Sequence, residues 1–165
     1  MRINEIMTAN PTCCVPSDSA RTAAIIMRDE DTGIVPIVES GHSRKLVGVV
    51  TDRDLCLGLI AGQTVGDAEG RHPSIVPVEE CMTTKVIYCK PDDDLESALE
   101  LMRDNQVRRI LVVDEENTVQ GIVSMADLVR RANVPAGETR ETLKSISEPT
   151  GEASRPRAES AESGN

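Results

Sequence analysis

The sequence predicts a mixed α/β (α+β) fold of two β-α-β-β-α units packed about a pseudo-twofold axis. Three observations predict it: the chain repeats itself, both copies switch between strand and helix patterning at the same places, and one copy is too small to stand alone. Residues 6–39 align on residues 81–114. Met7 meets Met82, Thr8 meets Thr83, Cys14 meets Cys89, Pro16 meets Pro91 and Asp18 meets Asp93. Ala23, Met27, Arg28 and Asp29 then meet Ala98, Met102, Arg103 and Asp104. After a turn of slightly different length, Gly48-Val49-Val50-Thr51-Asp52-Arg53-Asp54-Leu55 faces Gly121-Ile122-Val123-Ser124-Met125-Ala126-Asp127-Leu128. Self-similarity at a fixed period marks a duplicated supersecondary unit.

Each copy opens with a short extended stretch, residues 12–15 or 86–89, that ends at a proline followed by acids. Acids there start a helix by capping free N–H groups and meeting the positive end of the dipole. The next segment is apolar at helical spacing: Ala20, Ala23, Ala24 and Met27, or Leu95, Ala98, Leu99 and Met102. A dense β run follows at 34–38 or 110–113, and a polar turn at 40–45 or 115–118 leads to a second strand at 46–50 or 119–123. A last helix begins near Thr51 or Ser124. A unit of roughly 50 residues buries too little surface alone, so the two should share a core. The expected boundaries are 1–60 for the first unit, 61–80 for a connecting loop rich in Gly, Pro and acid, and 81–134 for the second. Residues 135–165 form a tail, with a short helix over 138–147 and a mobile end.

Composition narrows the chemistry. Of 165 residues, 39% are hydrophobic, but Tyr88 is the one aromatic side chain. A planar ligand would therefore rest between aliphatic groups. The net charge of −10 repels phosphate backbones and anionic lipid at long range, so nucleic acid and membrane surfaces are poor partners. No apolar run is long enough to span a bilayer. Five cysteines occur without a C-x-x-C pair, zinc spacing or an export signal, which reads as reduced thiols in a cytoplasmic protein. Cys14 and Cys89 suit core packing better than redox sensing. His42 and His72 fall in loops without partners at ligand spacing, and Asp92-Asp93-Asp94 reads as a helix start, not a metal site. No nucleophile–His–acid set and no Gly-rich phosphate loop argues for an enzyme.

The Met-Thr openings, the proline–acid–helix passages and the two Gly-h-h-Thr/Ser-x-x-Asp closings (h, apolar) resemble the tandem CBS domain, or Bateman module, over about residues 1–134. The Thr51-Asp52-Arg53-Asp54 wording is similar to small stand-alone bacterial members. The resemblance implies two units forming a flat module whose clefts bind AMP, ADP, ATP, S-adenosylmethionine or NAD(H) as a regulatory ligand, with no cofactor required. It places the ribose-binding carboxylate at Asp54 in one cleft and Asp127 in the other. An ionised carboxylate is acceptor-only and suits a vicinal diol. Thr51 and Ser124 correspond to hydroxyls that contact phosphate or ribose, and Thr12 and Ile87 to extended residues whose backbone reads the base edge. Ile122 joins the lining.

Copy two carries Val107-Arg108-Arg109 where related modules place cationic phosphate contacts, and copy one carries Thr32-Gly33-Ile34. The expectation is therefore that Asp127, with Ser124, Arg108 and Arg109, marks the better site, closed by Thr32 and Gly33 of the opposite unit. Asp54 would have only Arg53 nearby. The same Thr/Ser-x-x-Asp wording also fits a capping box, which needs no ligand. The favoured function is a ligand sensor, with a homodimer stacking four units into a disc through the closing helices, and a regulated protein as a further partner. The alternative is a ligand-free dimerisation scaffold.

Overall fold

The computed structural model describes residues 1–61, 71–131 and 136–147. Its elements are β1 (Thr8–Ala9), α1 (Ala20–Asp29), β2 (Ile34–Val38), β3 (Leu46–Thr51), α2 (Asp52–Ala61), β4 (Tyr88–Cys89), α3 (Leu95–Asp104), β5 (Arg109–Val113), β6 (Val119–Ser124), α4 (Met125–Arg131) and α5 (Ala136–Ser147).

The two copies build their first helices with the same parts. Ser19 caps α1 by accepting from Thr22 N, and Asp94 caps α3 by accepting from Ser97 N. The acids one position earlier do a different job. Asp18 accepts from Val15 N at 2.8 Å and Asp93 from Lys90 N at 2.7 Å, closing the turn before each helix. Each helix ends when the chain turns left-handed at Asp31 (φ 49) or Gln106 (φ 53). There Thr32 N reaches back to Met27 O and Val107 N to Met102 O, satisfying carbonyls that the helix leaves unpaired.

The hairpins are likewise copies. β2 pairs antiparallel with β3 and β5 with β6, each with a register irregularity at its far end. β1, however, pairs with β6 of the other copy, and Thr83 bridges Val49. The Met-Thr opening of each unit thus completes its partner's hairpin. Gly48 and Gly121 permit this close approach: a Cβ there would stand 2.8 Å from the Met82 sulfur and 2.5 Å from the Met7 sulfur. The hairpin turns also exchange bonds, Leu46 N to Asn117 O and Val119 N to Arg44 O.

Each unit has a core of its own hairpin and helices, to which the other lends its opening residues, Ile3 and Ile6 in one direction and Cys81 in the other. Cys14 packs with Ala23, Val35, Ile37 and Val50, and Cys89 with Ala98, Met102, Ile110 and Leu128. A third cluster lies between the hairpins, where Ile34, Val38 and Val49 meet Leu111, Val113 and Ile122. Burying side chains of this kind stabilises by about 1.5–3 kcal/mol each, so the shared cluster ties the two units together.

Two connecting regions do more than connect. Within the expected loop, Val76 and Val78 are fully buried in the first core, and Val78 N donates to Asp18 O. Residues 62–70 of that loop lie outside the described residues. Helix α5 stands where a short helix was expected, and Ile146 inserts into the second core. The end expected to be mobile, 148–165, also lies outside the described residues.

Candidate functional site

Two clefts open between the units, and each draws on both copies. In the first, Thr51 and Asp54 from the start of α2 face Ile87, Val107 and Arg108 of the second copy, in a space of about 700 Å³. In the second, Ser124 and Asp127 from the start of α4 face Asn10, Asp31 and Thr32 of the first copy, in about 510 Å³. Both volumes suit a small organic ligand.

At the head of each cleft is the same polar device. Thr51 N and Oγ1 donate to Asp54 Oδ2 at 2.9 and 2.7 Å, and Asp54 N donates back to Thr51 Oγ1 at 3.2 Å. Ser124 N and Oγ donate to Asp127 Oδ2 at 3.0 and 2.5 Å, with Asp127 N returning to Ser124 Oγ at 3.2 Å. These are capping boxes with Asp in the acidic position. Each carboxylate starts its helix with one oxygen while its side chain lines a cleft. The structural role and a cleft-facing position coexist in one residue.

Several residues lie elsewhere than the sequence placed them. Arg108, Val107 and Gly33 line the Asp54 cleft, not the Asp127 cleft. Arg109 lines both. Successive residues in an extended chain face opposite ways, so Thr32 and the Gly33 backbone fall on different clefts, and Arg108 lines one cleft where Arg109 reaches both. Thr32 and Ile122 do join Asp127 and Ser124, though the Thr32 hydroxyl is already turned to Ile34 O at 3.3 Å. Thr12 lies in neither cleft. Its hydroxyl bonds to Glu30, and the chain contributes Asn10 and Pro11 instead. Arg53 and Ile87 line the Asp54 cleft with Asp54.

The two clefts differ in the charges that line them. The Asp54 cleft holds Arg53, Lys85, Arg108 and Arg109 against Asp52 and Asp54. The Asp127 cleft holds Arg109 and Arg130 against Glu30, Asp31 and Asp127. In a chain of net charge −10, positive charge is concentrated at one cleft. Lys85 was legible only through the repeat, as the counterpart of Asn10. Ile146 and Ser147 also line the Asp54 cleft, from a stretch that lies beyond the repeated segments.

The cysteines take no part in either cleft. Burial pushes the Cys14 and Cys89 thiols up to about 12, with Asp18 and Asp93 adding to the effect, so both stay protonated and unreactive. Among the described residues no group of three His, Cys, Asp or Glu could hold a metal ion, and no helix is long and apolar enough to cross a membrane.

Two pseudo-symmetric lobes with paired, hydroxyl–carboxylate-headed clefts between them define a duplicated two-lobed module. The chain belongs to the CBS-domain family, whose model matches residues 3–60 and 78–133. It is 34% identical over 137 residues to the CBS domain-containing protein YhcV of Bacillus subtilis, covering 82% of this chain and 89% of that one. The CBS domain pair of protein MJ0100, solved in complex with 5-methylthioadenosine and S-adenosyl-L-methionine, superposes with a TM-score of 0.66 at 26% identity, over 81% of this chain and 96% of that one. CBSX2 in complex with AMP superposes with a TM-score of 0.62 at 25% identity, over 80% and 96%.

Proposed function

We propose that the chain is a regulatory sensor that catalyses nothing and binds a phosphate-bearing adenosine compound first in the Asp54 cleft. The observation that carries this is the gathering of four cations around a carboxylate-headed cleft in an otherwise acidic chain. On this reading the Asp54 carboxylate accepts from the ribose hydroxyls, Thr51 supports it, and Arg53, Lys85, Arg108 and Arg109 meet the phosphate. The base lies between aliphatic side chains such as Val49, Ile87 and Leu111, in keeping with a cleft that has no aromatic ring in its lining. A ligand touching both units favours one arrangement of them, which is how binding becomes a signal. Ile60 on α2 (75% exposed) and Val129 on α4 (52% exposed) are the apolar side chains left for a homodimer on this reading.

Calorimetry with AMP, ATP, S-adenosylmethionine and 5-methylthioadenosine tests the proposal. A dissociation constant in the micromolar range is expected for AMP or ATP, with the phosphate-free S-adenosylmethionine and 5-methylthioadenosine weaker, and with Asp54→Ala removing the tighter step. No binding below about millimolar, where little binding free energy remains, would end the sensor reading.

The capping boxes favour a second reading, a dimerisation scaffold in which Asp54 and Asp127 serve only their helices. It requires Asp54→Ala and Asp127→Ala to lower thermal stability with no ligand to lose.

A further inference from the structure

We infer that Arg109 is a single phosphate-binding cation shared by both clefts, so that a phosphate-bearing ligand in one weakens the binding of a second in the other. The inference rests on the nucleotide-binding reading and concerns how the two sites are regulated against each other.

Arg109 is the one described residue that lines both clefts. It opens β5 and pairs across the hairpin with Ser124, whose hydroxyl heads the Asp127 cleft. Its counterpart in the first copy is Ile34, which pairs with Thr51 in the same way. A fully symmetric module would place one cation beside each hydroxyl–carboxylate pair. At this strand position the chain has one cation, Arg109, for the two clefts.

The side chain reaches the other cleft because nothing stands at position 33. A Cβ on Gly33 would lie 3.2 Å from Arg109 Nη1 and 2.7 Å from Asp52 Oδ2. Gly33 itself lines the Asp54 cleft. The guanidinium therefore lies against the boundary between the two spaces. It is half-buried, and no carboxylate among the described residues lies within ion-pair distance of it. A guanidinium binds phosphate through a planar fork that suits one group at a time. Once the ligand beside Asp54 has taken it, the Asp127 cleft is left with Arg130 facing Glu30, Asp31 and Asp127. A second anion there meets a net repulsive lining.

The coupling is measured by comparing two affinities of the Asp127 cleft for AMP. One is read in Asp54→Ala, where Arg109 is available. The other is the second binding step of the unaltered chain, where it is taken. Calorimetry on the full chain should show the second step at least tenfold weaker than the affinity in Asp54→Ala. Adenosine, which carries no phosphate, should show a ratio near one, and Arg109→Gln should bring the AMP ratio to the same value while melting as a folded protein. A ratio near one for AMP in the unaltered chain, or an unchanged ratio in Arg109→Gln, overturns the shared cation and leaves the nucleotide reading standing. Absence of binding by AMP, ATP and adenosine alike overturns both.

Discussion

The two clefts began as copies, and position by position their linings show how they diverged. Thr51 and Ser124, Asp54 and Asp127, and Val49 and Ile122 occupy equivalent places, so the hydroxyl, the carboxylate and the aliphatic wall persist in both. The charges do not persist. Arg53 faces the Asp54 cleft where the other has Ala126, Lys85 stands where the other has Asn10, and Gln106 stands where the other has Asp31. Each change alone is small, and all three push the same way. The architecture that starts a helix and shapes a cleft is conserved between copies because folding needs it twice. The cations are not, because neither the capping boxes nor the core clusters draw on them.

The largest expected effect comes from reversing charge where the clefts differ. Arg108→Glu should weaken the first AMP step by about ten- to hundredfold, the range for losing a hydrogen bond to a charged group. The AMP affinity of the Asp127 cleft, read by calorimetry in Asp54→Ala, should stay within about twofold when Arg108→Glu is added, since charges outside a cleft couple weakly through solvent. Equal losses at both clefts would dissolve the distinction. A smaller effect works from the other side. Glu30→Gln with Asp31→Asn should tighten AMP at the Asp127 cleft by roughly twofold to fivefold, as expected for partly exposed charges. If titration shows no gain, the carboxylates are not what disfavours that site.

Stability should not distinguish the clefts, because the capping boxes are the same. Asp54→Ala and Asp127→Ala should each cost about 1 kcal/mol and lower the melting temperature by a few degrees. Thermal melts without ligand check this, and one inert variant would mean that the boxes are unequal. The smallest effect concerns the thiols. Only the thiolate attacks a disulfide reagent, and a thiol pushed up to about 12 is protonated at pH 8. Cys14 and Cys89 should therefore stay unlabelled in the native protein while exposed Cys56 reacts. The raised values also mean that the unfolded thiols ionise first, so stability should fall as pH rises above about 9. Native labelling of either buried cysteine would show that one core opens more easily than the other.

Much of the fold was legible because its signals are local. The helical spacing of Ala23 and Met27, the capping acids and the β runs each depend on neighbours a few residues away. Even so, the cap of α1 is Ser19 and not Asp18, since Asp18 is held by Val15 N. The candidate site was legible in its chemistry and not in its partition. Asp54, Asp127, Thr51 and Ser124 are where the repeat placed them. Arg108 and Gly33 were assigned to the wrong cleft because the sequence does not say which face of a strand entrance turns toward which lobe.

By itself the sequence determined that the molecule is a duplication and that Thr51-x-x-Asp54 and Ser124-x-x-Asp127 can each cap a helix. Those properties follow from spacing along one chain. Only the tertiary structure decided that each unit's opening strand completes its partner's hairpin, that Lys85 and Arg108 of the second copy line the cleft headed by Asp54 of the first, and that Arg109 lines both clefts. Packing about a pseudo-twofold axis brings residues far apart in the chain to the same wall, and no local pattern encodes that exchange.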